Sequence, residues 1–172
     1  IAEADNNDGR HDIALEATSA LAADLRTALP AQASLLVLSL CGLSFALAKF
    51  ERKQESFAAL QEAVAVGEQH LGLLHKETLR ALGLLSNTHM HFGENDHALT
   101  VGEITVQRAR QVYGAQRPHT ALVGSERWYA AALVKRGRPA DAEPLARQVV
   151  VDQQLLDGGM SLRVVQAMAV HS

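Results

Sequence analysis

Leu71-Gly72-Leu73-Leu74-His75-Lys76-Glu77-Thr78 opens a unit of the chain that closes, 42 residues later, with a variant of the same phrase, Tyr113-Gly114-Ala115-Gln116-Arg117-Pro118-His119-Thr120. Between the two phrases lie a helical pattern, a turn at Gly93-Glu94-Asn95-Asp96 and a second helical pattern. A fixed period of this size, filled by a helix, a turn and a helix, is typical of an α-solenoid. The sequence therefore predicts an all-α repeat protein.

Turn-forming residues recur at the same period in both directions. Glu51 stands 42 residues before Gly93, and Gly9 stands another 42 residues before Glu51. The next turn, at Gly137, follows Gly93 by 44 residues, so two residues have been inserted after the second phrase. We predict that they lengthen the first helix of the third repeat or form a bulge near Val123-Gly124-Ser125.

A small residue occupies the fifth position after each of these turns. A helix needs a small side chain at the point where a neighbouring helix crosses it closely. We therefore predict that helix crossings occur at Ala14, Ser56, Ala98 and Ala142.

The two phrases, the 42-residue period and the run Gly137-Arg138-Pro139-Ala140-Asp141-Ala142-Glu143-Pro144-Leu145 resemble tetratricopeptide repeats of the kinesin-light-chain type. The resemblance implies an α-α superhelix, a solenoid of antiparallel helix pairs. The sequence departs from the family on the first helix of each pair, where Cys41-Gly42 and Gly83-Leu84 replace the usual paired asparagines.

We interpret residues 1–172 as one solenoid domain. Because the chain starts with Ile1 and its first residues resemble the tail of a helix, we expect a piece of a longer protein. The predicted units are a partial repeat at 1–30, repeats at about 31–72, 73–114 and 115–158, and a terminal helix at 160–171.

Composition narrows the class of protein. Hydrophobic residues make up 48% of the chain and only 4 residues are proline, which suits long helices. The net charge of −3 argues against nucleic acid as a partner, because a nucleic-acid binder needs a basic stripe. The single cysteine, Cys41, cannot form an internal disulfide, and no signal-peptide pattern opens the chain, so we expect a cytoplasmic protein.

One stretch resembles a membrane span, because no charged residue lies between Arg26 and Lys49. Pro30 and Gln32 interrupt this stretch, and its leucines fall in register with the other repeats. We therefore predict a helix buried inside the solenoid and no membrane association.

The sequence offers weak candidates for chemistry. His89-Met90-His91 with His97 suggests a metal site, but two residues that are two positions apart on a helix point in different directions, and no Asp, Glu or Cys joins them on a shared face. Nucleophile motifs and phosphate-binding glycine loops do not occur, and the carboxylates are predicted to be scattered over solvent faces. We expect no metal, no cofactor and no enzyme activity.

The resemblance also implies a peptide-binding groove on the first helices. Its groove-facing positions include Leu38, Cys41, Phe45, Gly83 and Ala131. Its polar members, none of them acidic, are Lys49, Arg80, Asn87, His91, Arg127 and Lys135.

From these residues we predict a scaffold for protein–protein interaction that binds an extended acidic peptide or partner protein. Arg80, Arg127 and Lys135 would supply positive charge, and Asn87 would bond the peptide backbone. Trp128, the one tryptophan, is interpreted either as a core residue or as an anchor for a partner.

An alternative function comes from a different class. The chain could serve as a regulatory or oligomerising helical segment of a larger bacterial-type signalling or transcription-regulating protein. A homo-oligomer would then form through the terminal helix, with Val164, Val165 and Met168 packed on another chain.

Overall fold

The computed structural model describes residues 2–158, and for residues 2–12 and residue 14 it describes the backbone alone. The predicted terminal helix at 160–171 lies outside these residues. The described part contains α-helices and no strand, as predicted, and none of its helices is both long enough and apolar enough to cross a membrane. The helices are α1 (Ala2–Thr27), α2 (Ala33–Lys49), α3 (Lys53–Val66), α4 (Lys76–His91), α5 (Asn95–Tyr113), α6 (Thr120–Lys135) and α7 (Pro139–Gly158).

The helices pair in chain order, so that α2, α4 and α6 are first helices and α3, α5 and α7 are second helices. Each first helix packs against its own second helix, and α4 also packs between α2 and α6. A π-helical turn, Gly67–Leu71, extends α3, and a 3-10 turn, Gly114–Gln116, follows α5. The three first helices therefore lie side by side and share one face.

Each pair crosses at two small buried residues. In the first pair the two hydroxyl oxygens lie 2.9 Å apart, and in the second pair a serine hydroxyl donates to a backbone carbonyl at 2.7 Å. The prediction of small crossing residues is confirmed on the second helices, while the side chain of Ala14 is not described. The crossing residues are Ser44 with Ser56, Ser86 with Ala98, and Ala130 with Ala142.

Three of the four predicted turns are confirmed. Glu51, Gly93 and Gly137 have φ angles of 56°, 76° and 79°, and each reverses the chain between a first and a second helix. The turn predicted at Gly9 is wrong, because Gly9 lies within α1. Helix packing holds the other turns closed, whereas no described helix precedes α1 for a reversal at Gly9 to pack against.

The position predicted for the two inserted residues is also wrong. Helices α4 and α6 each contain 16 residues, and the 14 residues of α3 with the 5 of its π-helical turn match the 19 of α5. The insertion lies in the linker, which comprises residues 72–75 before α4 and residues 114–119 before α6.

Histidine caps explain why the linker absorbs the insertion. The Nδ1 atom of His75 accepts a hydrogen bond from the backbone N–H of Glu77 at 3.3 Å, and Nδ1 of His119 accepts one from Ala121 at 3.2 Å. A side chain that satisfies a free N–H fixes the start of a helix. His75 and His119 are therefore equivalent capping residues. The second phrase has two more residues than the first between its glycine and this histidine.

Two carboxylates are buried in the interior, contrary to the prediction that all lie on solvent faces. Glu126 on α6 is fully buried, and its Oε1 lies 2.9 Å from a guanidinium nitrogen of Arg110 on α5. Arg117 in the linker pairs with Glu126 and also with Asp152 on α7, at 2.8 Å. Burial lowers the pKa of Arg117, but its hydrogen bonds and charge interactions with the two carboxylates outweigh burial and raise it. This cluster fastens the linker to three helices.

Replacement of Arg117 by alanine should destabilise the fold strongly. The change leaves Asp152 and part of Glu126 buried without their cation, which typically costs about 3 kcal/mol or more. Urea unfolding would measure this cost. Arg147→Ala is the matched control, because Arg147 pairs with Glu143 on the surface of α7, and its loss should cost under about 0.5 kcal/mol. Equal costs for the two variants would contradict the proposed role of the cluster.

Replacement of Glu51 by glycine should stabilise the fold by about 0.5 kcal/mol. The left-handed conformation costs a side-chain-bearing residue about 1–2 kcal/mol, and the greater freedom of glycine in the unfolded chain offsets part of the gain. Gly137→Ala is the reverse change at an equivalent turn, where an added Cβ would meet no atom within 4 Å. Thermal unfolding should shift in opposite directions for the two variants, and a shift in the same direction would contradict this explanation.

Candidate binding groove

The shared face of the first helices contains two adjoining depressions, which together form what we call the groove. The first depression, of about 470 Å³, lies between α4 and α6, and the second, of about 620 Å³, lies among α2, α4 and α6. Trp128 lines both. Polar and charged side chains of the first are Lys76, Glu77, Arg80, Thr120, Ser125 and Arg127, and those of the second are Lys49, Asn87, Thr88, His91 and Lys135.

The structure brings together all six polar residues that the sequence predicted for the groove. Phe45, Gly83 and Ala131 line it as well. Cys41 does not, because its side chain is buried in the core between α2 and its neighbours. Burial raises the pKa of the Cys41 thiol to about 12, so Cys41 behaves as a small apolar residue. Leu38 also lies outside the lining of both depressions.

Trp128 forms the floor at which the two depressions meet. An added Cβ on Gly83 would lie 2.9 Å from Cδ1 of Trp128, so the indole packs directly on the α4 backbone. The guanidinium carbon of Arg127 lies 4.9 Å from the centroid of the same ring, within the range of a cation–π contact. The sequence left the role of Trp128 open. Gly83, which stands where the family has an asparagine, was the signal that a large side chain packs against α4 at this point.

The groove gathers the cations that lack an acidic partner. Most Lys and Arg side chains in the described part of the chain have a carboxylate oxygen within 4.0 Å. Among the described side chains the exceptions all line the groove and are exposed. They are Lys49, Arg80, Arg127 and Lys135.

Two acidic groups limit the positive charge of this face. Glu77 lines the first depression beside Lys76, whose Nζ lies 3.9 Å from the carboxylate. At the other end, Nε2 of His91 lies 3.4 Å from the exposed carboxylate of Glu51. The lining is therefore predominantly basic, and not free of acids as the sequence positions alone suggested.

A second polar cluster lies beside the groove, at the turn between α4 and α5. Nδ1 of His89 lies 2.7 Å from Oε2 of Glu94, and the ring of His97 stacks on that of His89. Hydrogen bonds from Lys53 and, to a smaller extent, His89 hold the pKa of Glu94 below its usual range. The expectation that no acidic residue joins these histidines is therefore wrong, because the turn at Gly93 brings Glu94 back towards α4.

Comparison with known proteins confirms the resemblance to tetratricopeptide repeats. Residues 36–75, which run from α2 to the cap of α4, match the family model described as tetratricopeptide repeat. Repeats of this kind are in general modules for protein–protein interaction. No curated protein matches the chain.

Solved structures show the same fold. One is described as the nearly identical TPR-like repeats of a putative kinesin light chain from Podosopora anserina; it is 22% identical, with a TM-score of 0.64 over 89% of this chain and 72% of that chain. A point variant of the same kinesin light chain is 23% identical, with a TM-score of 0.67 over 86% of this chain and 68% of that chain.

Replacement of Gly83 by alanine should displace Trp128 from the floor of the groove. A methyl group 2.9 Å from the indole cannot be accommodated without movement of the ring. Because Trp128 is the single tryptophan, a shift in its emission maximum reports this movement directly. Gly124→Ala is the control, since an added Cβ there meets no atom within 4 Å and should leave the emission unchanged. An unchanged spectrum of Gly83→Ala would contradict the described packing.

Proposed function

We propose that the chain is an interaction module that binds an extended acidic peptide, or an acidic segment of a partner protein, along α2, α4 and α6. The observation that supports this proposal is the convergence of Lys49, Arg80, Arg127 and Lys135 on the groove, each without an acidic partner among the described residues. A protein with a net charge of −3 thus presents a positively charged face to its surroundings.

Unpaired surface cations favour an acidic ligand for a physical reason. An exposed ion pair contributes little to stability, typically about 0–1 kcal/mol, so the pairs on the other faces mainly neutralise charge. Neighbouring cations without an acidic partner repel one another, and a bound carboxylate relieves this repulsion and lowers the electrostatic free energy. Such an arrangement contributes more to partner selection and association rate than to raw affinity.

The two depressions suit different parts of such a ligand. Arg80 and Arg127 would hold carboxylates in the first depression, and Lys49 and Lys135 would do so in the second. Asn87 lines the second depression, and its amide, which forms no hydrogen bond to other described residues, could bond a peptide backbone. His91 would play a smaller part, because it already faces Glu51.

Exposed apolar side chains add a further requirement. Phe45 and Val134 are each 55% exposed and both line the second depression beside Trp128. Removal of apolar area from water is favourable by about 25 cal/mol per Å², from which the entropic costs of association are subtracted. We therefore infer that the ligand carries an apolar residue among its acidic ones.

An oligomerising role is the second candidate, and one observation favours it. Val150, Val151 and Leu155 are each about half-exposed on α7, where they form an apolar stripe that no described element covers. Sedimentation of the chain at several concentrations tests this candidate separately from peptide binding. A reducing cytoplasm suits both candidates, because the one thiol is buried and unpaired.

Fluorescence of Trp128 provides the test of the groove. A glutamate-rich peptide with one central leucine should change the emission on titration, while the lysine-rich counterpart should not. Arg80→Glu combined with Arg127→Glu should weaken binding at least about tenfold, equivalent to about 1.4 kcal/mol. The matched control is Arg138→Glu, just before α7, combined with Arg147→Glu on α7, which changes net charge equally outside the groove and should leave affinity nearly unchanged.

Salt dependence completes this test. Raising the ionic strength from about 0.05 M to about 0.5 M shortens the screening length and should weaken binding of the acidic peptide. Binding that ignores salt, or that survives the double reversal in the groove, would rule out a basic binding surface.

A further inference from the structure

The turn between α4 and α5 brings three metal-ligating side chains together outside the groove. His89 comes from the last turn of α4, Glu94 from the residue before α5, and His97 from the first turn of α5. One ligand atom from each of them lies within 4.8 Å of the other two. The rings of His89 and His97 stack with their centroids 5.3 Å apart.

The equivalent turns of the other two repeats contain no histidine at these three positions. The positions equivalent to His89, 42 residues before and 44 after, are Leu47 and Leu133, which are both buried in the core. The positions equivalent to Glu94 and His97 form an arginine–carboxylate pair in each repeat. These pairs are Arg52 with Glu55 and Arg138 with Asp141, each at 2.7 Å.

The second repeat differs at all three positions together. A buried leucine is replaced by an imidazole whose side chain is 15% exposed, and the arginine and the carboxylate are replaced by Glu94 and His97. Each change introduces a group that binds first-row metal ions. A largely buried imidazole in a core position costs stability unless a polar partner satisfies it.

We propose that His89, Glu94 and His97 bind a divalent first-row transition-metal ion, with Zn²⁺ the best match, and that water completes a tetrahedral site. Two imidazole nitrogens and one carboxylate oxygen form a ligand set that Zn²⁺ accepts, with bonds of about 2.0–2.2 Å. The donor atoms then lie about 3.3 Å apart at the corners of a tetrahedron. The donor atoms of the three side chains lie within 4.8 Å of one another, and because His97 is exposed, rotation of its side chain would bring them to this spacing.

The surroundings of the cluster suit a metal ligand set. Nζ of Lys53 lies 2.7 Å from Oε1 of Glu94, so it orients the carboxylate and leaves Oε2 facing His89. Outer contacts of this kind commonly orient the ligands of metal sites. The ring of Phe57 covers one side, with its centroid 4.6 Å from that of His89 and 5.7 Å from that of Phe92. The bound ion would join α4 to α5 and, through Lys53, to α3.

The competing explanation is that these side chains form an ion-pair cluster that only stabilises the turn. The role of His97 distinguishes this explanation from a metal site. Lys53, Glu94 and His89 satisfy one another without His97, whereas a metal ion needs its imidazole as the third ligand. Loss of the His97 ring should therefore matter for metal binding and little for the stability of the metal-free protein.

Calorimetric titration of the untagged chain, freed of metal by a chelator, tests the proposal with ZnCl₂ as the probe. We expect one Zn²⁺ per chain, a rise in Tm on binding, and no response to Mg²⁺. Co²⁺ should give the visible absorption bands of a tetrahedral site. His97→Ala should lower Zn²⁺ affinity at least about tenfold, and His89→Leu, which restores the residue of the other repeats, should abolish binding.

His70→Gln is the matched control, because His70 lies on the π-helical turn away from the cluster and its loss should leave Zn²⁺ affinity unchanged. Absence of Zn²⁺ binding by the wild type would overturn the proposal. Binding that survives both His97→Ala and His89→Leu would overturn it equally. Peptide binding in the groove is measured separately, so neither result depends on the other.

Discussion

The close crossing of two helices at a pair of small residues is the contact on which the rest of the structure depends. A helix pair of this length cannot bury its apolar surface alone, and only a tight crossing leaves both helices free to pack on the next pair. Both serine and alanine occur at these crossings, since Ser44 and Ser56 share a hydrogen bond, whereas Ala130 and Ala142 belong to one buried apolar cluster. A larger side chain at any of these buried points would push the pairs apart and interrupt the shared face of the first helices.

The chain reversal follows from the same constraint. Two helices that cross closely need a short connection, and a single residue in the left-handed conformation provides it at Glu51, Gly93 and Gly137. The linkers between these pairs can differ in length, because the start of the following helix is set locally by a histidine cap at His75 or His119. For that reason two extra residues enter the linker at 114–119 without altering the length of α6. The residues that line the groove thereby keep their register along α2, α4 and α6.

Periodicity predicted much of the fold, because turn residues and small crossing residues recur at a fixed spacing in the sequence. It failed where the deciding contact is local or distant in sequence. The cap formed by His119 acts within a single helical turn, and the burial of Glu126 depends on Arg110 and Arg117 from two other elements. In the candidate groove the exposed positions followed from the helix frame, whereas the floor formed by Trp128 depends on the approach of α6 to Gly83. Ion pairs between helices, such as Arg26 with Glu62 and Arg108 with Glu68, could not be predicted from the periodicity either, because they join residues far apart in the sequence.

Backbone amide spectra of the ¹⁵N-labelled chain, recorded during titration with an acidic peptide, test the central claim that the face of the first helices is the binding surface. We expect shift changes confined to α2, α4 and α6, with the largest at the Asn87 side-chain amide and the Trp128 indole N–H. The signals of α3, α5 and α7 should stay nearly unchanged. Changes concentrated on those second helices, or spread evenly over the chain, would contradict the claim.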